Sequence, residues 1–344
     1  MNIDNETPFE VEVLFGIGPE SRPVVTVVVK ATYEIGDDGL TLAAAQEPVA
    51  YADEPLGDSG IARWEADTAP FKPRADVIVA GSVHAPAGQA APYVEAGVRV
   101  GERRCGVRVF GDRVWEKASR AGQPIPFTEM ELGAHLAFGG VSPAGGVWEE
   151  NPVGKGFVKV EKKQEAKGAP LANIEPLEKP VRTWDDHPET VGFGVVPRCA
   201  ASRIAALGTF DERWRTERSP LPPEDFRLDY YNAAYRWLQF DGYLAGDEEI
   251  ELLRLTADGR LLFRLPGVAL QAAIHRFAPD TPGVAGSEAQ PPAAGPREEA
   301  VELHLDTCVV RPDDHLVCLT WRGVAAVADL MVPEVEGVAV RLRA

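Results

Sequence analysis

Residues 23–39 read PVVTVVVKATYEIGDDG, thirteen valine-rich positions running into a Gly-Asp-Asp-Gly turn. β-Branched side chains are stiff at χ1 and pack well on a pleated surface, so the run predicts a strand. Gly and Asp tolerate tight-turn geometry, so residues 36–39 predict a hairpin. The same texture recurs in ADVIVAGSVHA (75–85), YVEAGVRVGERRCGVRVFG (93–111), EIELLRL (249–255), LLFRLPG (261–267), AVELHLDTCVVRP (300–312) and HLVCLTWRGVA (315–325). Further turn signals fall at ADG (257–259) and PDD (312–314). The chain therefore predicts a mainly β protein of antiparallel, sandwich-like sheets with little helix. The best helical window is PEDFRLDYYNAAYRWLQF (223–240), short and rich in aromatics.

Two β-rich lobes are expected, at 1–120 and 229–344, joined by an irregular layer at 121–228 dense in Gly, Pro and Trp. Gly81-Ser-Val followed by a hairpin echoes Gly242-Tyr-Leu followed by another, as two equivalent β units would. KKQEAKGAP (162–170) reads as a connector, and the proline-rich stretch at about 278–299 as a flexible loop.

With 344 residues and 45% hydrophobic content there is ample material for a large core. Against 35 Lys and Arg stand 53 Asp and Glu, a formal charge of -18 that repels a phosphate backbone and argues against nucleic acid as a partner. MNIDNETPFE is acidic and polar, and nowhere do roughly eighteen apolar residues run together, so a cytoplasmic protein with no membrane partner is expected. Cys105, Cys199, Cys308 and Cys318 read as reduced, buried thiols.

No constellation for catalysis, metal or cofactor stands out. There is no G-x-S-x-G, and Ser59, Ser82 and Ser142 lack the context of a nucleophile elbow. AFGGVSPAGG lacks a lysine-serine continuation and reads as a tight surface turn rather than a phosphate cradle. Two sets keep a hydrolase open as the alternative. His304, Asp306 and His315 could meet across a hairpin, although Leu303 and Leu305 alternate with His304 and Asp306 and so favour a solvent-facing strand edge. Asp185, Asp186 and His187 in WDDHP could serve as acid, base or ligands, although turn capping explains them more simply.

Recognition chemistry remains. Seven tryptophans stand mostly beside Arg or Asp, where they serve as anchors or as interface contacts. In WRTERSPLPPEDF (214–226), Pro220, Pro222 and Pro223 fix φ and remove donors, which predicts a stiff strap that is neither helix nor strand. Trp214 and Phe226 would pin its ends, with Trp115 and Trp321 as further structural anchors. Arg213, Arg215 and Arg218 would stay free for a partner, and Trp184, His187, Phe193 and Arg198 are taken as partner-facing with them.

The motifs TPF (7–9), VVVKATYEI (27–35), KPRADVIVAGSVHAP (72–86), VFGDRVW (109–115), AFGG (137–140), NPVGKGF (151–157), LANIE (171–175), VPRCAASRIAALGTFDERWRTERSPLPPEDF (196–226) and LQFDGYLAGDEEIELLRL (238–255) occur in one order. Over nearly the whole chain this succession resembles the domain-of-unknown-function family 2169, encoded among type VI secretion genes. The resemblance implies a non-enzymatic adaptor or chaperone that loads a toxic effector onto the spike protein of the secretion apparatus, with effector and spike as partners. A structural component of that apparatus is the further alternative. Two departures stand out: Gly133-Ala-His-Leu136 replaces a Tyr-Glu-Arg-like approach to AFGG, and LANIE replaces LPNIE.

Overall fold

The computed structural model describes residues 1–117, 120–160, 166–277, 297–328, 330 and 334–343. Most of the stretch at 278–299, and part of the connector at 162–170, lie outside the described residues.

The fold is mainly β, with three larger sheets. In the seven-stranded sheet the order is Gln239–Phe240, Ala75–Val79, His304–Arg311, Leu316–Ala326, Pro23–Gly36, Glu10–Ile17, with Gly39–Leu42 also paired to Pro23–Gly36. The opening stretch is thus an inner strand, its valines buried on both faces, and Gly36 opposite Gly39 closes the hairpin. A five-stranded sheet runs Ile174–Pro176, Arg103–Phe110, Tyr93–Val100, Glu249–Leu253, Arg260–Arg264. A four-stranded sheet runs Asn2–Asn5, Val335–Leu342, Leu270–Arg276, Arg297–Val301.

The expected lobe boundaries at 120 and 229 are crossed by all three sheets. Ala75–Val79 pairs in parallel with His304–Arg311, and Asn2–Asn5 in parallel with Val335–Leu342, so the pairing is not purely antiparallel. The two hairpins that echo each other lie side by side in the five-stranded sheet, joined by pairs such as Leu252 with Val98. One hydrophobic core takes residues from Phe9 to Val340. Trp321 is buried in it and stacks on Phe9 at 6.1 Å, while Trp115 anchors a smaller core with Val158, Ala166, Ala169 and Leu171.

A row of polar side chains crosses the seven-stranded sheet. Asp76, Thr307, Thr320 and Lys30 are direct partners across four neighbouring strands. The segment that covers them brings Asp67 and Lys72: Lys30 Nζ bonds Asp67 at 2.9 Å, and Lys72 Nζ bonds Thr307 at 2.9 Å and Asp76 at 2.5 Å. Arg322 pairs with Asp306 and donates to the Asp67 carbonyl at 2.8 Å.

Asp306 corrects the expectation from the sequence, because it is fully buried rather than on the solvent face. The register shifts between Leu305 and Thr307, so one extra residue sits in His304–Arg311 and strict alternation fails there. Burial pushes the Asp306 carboxyl above its usual range, against the pull of Arg322 and Lys72. Cys199 is a second correction: it is exposed, whereas Cys105, Cys308 and Cys318 are buried. Burial raises the thiols of Cys105 and Cys318 to about 11.

Removing one partner of a buried ion pair leaves the other charge uncompensated, at a cost of about 3–5 kcal/mol. Asp306→Ala is expected to lose stability on that scale, measured as a lowered urea midpoint at unchanged slope by tryptophan fluorescence.

Candidate functional site

The irregular backbone between the sheets is ordered by contacts among its own motifs. Phe138–Val141 pairs in parallel with Lys155–Gly156, which brings AFGG against NPVGKGF. A side chain at Gly139 would meet the Asn151 carbonyl at 2.2 Å, and one at Gly140 the Gly154 carbonyl at 2.2 Å, so both glycines are required for this approach. AFGG is therefore a buried strand start, and the tight surface turn expected of AFGGVSPAGG is made by its second half, where the Ser142 amide donates to the Gly146 carbonyl. Asn151, also buried, donates to the carbonyls of Ala134 and Phe138. LANIE docks on VFGDRVW: Glu175 pairs with Arg113, and the Asn173 amide donates to the Phe110 carbonyl at 2.9 Å.

Two segments project from this frame. The first is the hairpin of Phe138–Val141 and Val147–Trp148. Its cross-strand partners Val141 and Val147 are 66% and 47% exposed. At its base Trp148 packs with Phe138, Phe157 and His187, ring centres 5.0 to 5.4 Å from the indole. The second segment runs from Arg198 to Phe226 and abuts the first, since the Ala201 amide donates to the Glu149 carbonyl at 2.7 Å.

Within the second segment, helix Ala201–Leu207 presents Ile204 outward. Beyond Gly208, Asp211 caps a second helix, Glu212–Glu217, by accepting from the Trp214 amide at 2.8 Å. This helix corrects the expectation that residues 214–226 are neither helix nor strand. The prolines begin only at position 220, and the cap with the pairs Glu212–Arg215 and Arg213–Glu217 supports one and a half turns before them. Trp214 lies edge-on to Phe210 at 4.7 Å and donates from its indole to the Leu221 carbonyl at 2.8 Å, which folds the strap onto itself. Phe226 packs on Tyr230 and Tyr231.

The seat of the strap is ionic. Arg203, buried, donates twice to Glu65 at 3.0 Å and once to the Val196 carbonyl, with its guanidinium 5.0 Å from the Tyr230 ring. Arg198 bridges Glu65 and Asp53. Ile204, Phe210 and Leu221 are left 52%, 54% and 41% exposed.

The residues proposed from sequence divide accordingly. Arg213 and Arg215 are exposed and held only by surface ion pairs, which contribute little and leave them accessible. Arg218 instead binds the Pro222 carbonyl and closes the strap. Phe193 is corrected: it is 1% exposed in the main core and cannot meet a partner, and its carbonyl accepts from the Val79 amide. Trp184 packs on the smaller core around Trp115, and His187 is exposed at the edge of the Trp148 cluster. Asp186 accepts from the amides of Arg182 and Thr183, so WDDHP is a capped turn. His304 and His315 lie at opposite ends of the pairing between His304–Arg311 and Leu316–Ala326, with Asp306 buried between, so those three do not assemble. The window at 223–240, read as holding a single helix or helical turn, contains two short 3-10 turns, Leu228–Tyr231 and Arg236–Leu238.

A family model described as an uncharacterized protein conserved in bacteria, DUF2169, matches residues 20–322. No curated protein and no solved structure matches the chain.

Losing an N-cap costs about 1 kcal/mol, which multiplies local opening about fivefold. Asp211→Ala is expected to speed tryptic cleavage at Arg213, Arg215 and Arg218 by that factor while leaving the global unfolding midpoint in place, because cleavage follows the population of the open segment.

Proposed function

The chain belongs to the DUF2169 family of bacterial proteins, and from that membership we propose that it is a non-enzymatic adaptor that holds a secreted effector and presents it to the spike of a type VI secretion apparatus. The observation that carries this reading is the exposed apolar set Val141, Val147, Ile204, Phe210 and Leu221 on two abutting, internally fastened segments. Large apolar side chains on ordered irregular backbone favour burial against a partner, and a rigid support limits the entropy lost in binding. Arg213 and Arg215 at the same projection add charges that steer association and select the partner.

In this reading Tyr230, Phe226 and Glu65 hold the strap, while the face of Ile204, Phe210 and Leu221 meets the effector. The protein acts by shape and accessibility, and no bond is made or broken. Its place is the cytoplasm, where an effector awaits loading.

The test is co-expression of the tagged chain with the toxin and the spike encoded beside its gene, followed by affinity capture. We expect a complex that Ile204→Asp, Phe210→Asp and Leu221→Asp together weaken at least about thirtyfold, the factor for losing one interface hot spot of ~2 kcal/mol. Circular dichroism should show the variant folded. Failure of the native chain to capture either protein, or undiminished capture by the folded triple variant, would overturn the proposal.

A further inference from the structure

Away from the strap, three side chains from distant parts of the chain converge. His84 ends the strand Ser82–His84, Glu129 begins Glu129–Glu131 directly opposite it, and Asp313 comes from the turn Pro312–Asp314. One imidazole nitrogen and one oxygen from each carboxylate lie within 4.8 Å of one another. His84 Nε2 stands 3.3 Å from Asp313 Oδ1. In a tetrahedral site with metal–donor bonds of about 2.1 Å, neighbouring donors are about 3.4 Å apart, which the separation of His84 and Asp313 matches.

The backbone carrying the donors is fastened. The Ala80 amide bonds the Val310 carbonyl at 2.9 Å, the Leu132 amide bonds the Gly81 carbonyl at 3.0 Å, and the His84 amide bonds the Arg254 carbonyl at 2.9 Å. Gly81 lets the turn come this close, since a side chain there would meet Pro312 at 2.8 Å.

The pattern of ion pairs supplies a separate observation. Glu131 is taken by Arg63, and Asp314 by Arg311. Among the described residues, Glu129 forms no ion pair and Asp313 pairs with His84 alone. Glu129 and Asp313 thus bring two carboxylates together beside one imidazole with no Lys or Arg partner among the described residues, an arrangement that a bound cation would stabilise.

We infer that His84, Glu129 and Asp313 form a binding site for a divalent transition-metal ion of the zinc class. The mixed nitrogen and oxygen donors favour such an ion over calcium or magnesium, which prefer all-oxygen shells. The ion clips the turn at 312–314 to the strands at 82–84 and 129–131, and three protein donors leave a fourth position for solvent or another ligand. This site is independent of the adaptor reading, since none of its residues lies on the projecting segments.

The test uses the full chain with Cys199→Ser, which removes the exposed thiol as a rival zinc ligand. After treatment with chelator and its removal, the protein is titrated with zinc chloride by calorimetry and with cobalt(II) by visible spectroscopy. One ion per chain is expected, with the intense bands of four-coordinate cobalt and a raised melting temperature on zinc addition. His84→Ala and Asp313→Asn should each weaken binding roughly tenfold or more, the scale that even the outer shell of a metal site reaches. Asp313 is exposed and His84 partly buried, and melting of the metal-free variants checks their fold. No saturable binding, binding unchanged in the folded variants, or calcium binding as tightly as zinc would each overturn the assignment.

Discussion

Three cations and three anions, Lys30, Lys72, Arg322, Asp67, Asp76 and Asp306, are buried on one face of the seven-stranded sheet and must be satisfied together. Each has its counter-charge within hydrogen-bond reach, and Thr307 and Thr320 link the pairs, Thr307 donating to Asp306 at 2.7 Å and Thr320 to Asp67 at 3.3 Å. Removing these groups from water costs several kcal/mol per ion, so the row adds little net stability compared with an apolar layer. It adds register. A slip of one residue between any two of the four strands would turn a charge into the apolar core and leave its partner alone. The strands concerned come from residues 23–36, 75–79, 304–311 and 316–326, so the row ties the register of both ends of the chain in one sheet.

The irregular layer depends on the same row. Asp76 accepts from the Asn232 side chain at 3.1 Å and from the Ala233 amide at 2.9 Å, which fixes the chain just after Tyr230 and Tyr231. Those rings seat Phe226, and Tyr230 lies beneath Arg203. Glu65, which binds Arg203 and Arg198, lies two residues before Asp67 in the segment that covers the row. The strap is thus connected to the buried charges from both sides, through aromatic packing on one and ion pairs on the other. This explains how a segment with little regular structure keeps one conformation while its apolar side chains stay exposed.

The sequence made local features legible and left long-range ones obscure. Valine-rich runs and Gly-Asp turns mark strands and hairpins because period and turn chemistry are properties of a few adjacent residues. Trp115 and Trp321, each with one charged neighbour in the sequence, Glu116 and Arg322, are buried in the two cores. Asp306 was not readable, because a bulge defeats the alternation from which its exposure was inferred. The helix at Glu212–Glu217 did leave a signal, Asp211 three residues before Trp214 and acid–base pairs at helical spacing, but the following prolines dominated the reading. Phe193 sits among glycines that imply a surface loop, yet its carbonyl accepts from the Val79 amide and its side chain lies in the main core. The convergence of His84, Glu129 and Asp313 depends on parallel pairing of strands more than two hundred residues apart, for which single-sequence periodicity has no counterpart.

The motifs that carry the family likeness turn mostly inward. AFGG needs its glycines to meet NPVGKGF, LANIE supplies the acid for the arginine of VFGDRVW, and KPRADVIVAGSVHAP contributes Lys72 and Asp76 to the buried row. The long motif at 196–226 behaves differently. Its Arg203, Asp211, Trp214 and Arg218 fasten it to the body or to itself, while Ile204 and Leu221, and the part of Phe210 not packed on Trp214, remain exposed. Apolar surface left exposed to water gains most when a second surface covers it. The division between inward and outward residues within one motif therefore separates those that make the fold from those that the proposed partner would cover.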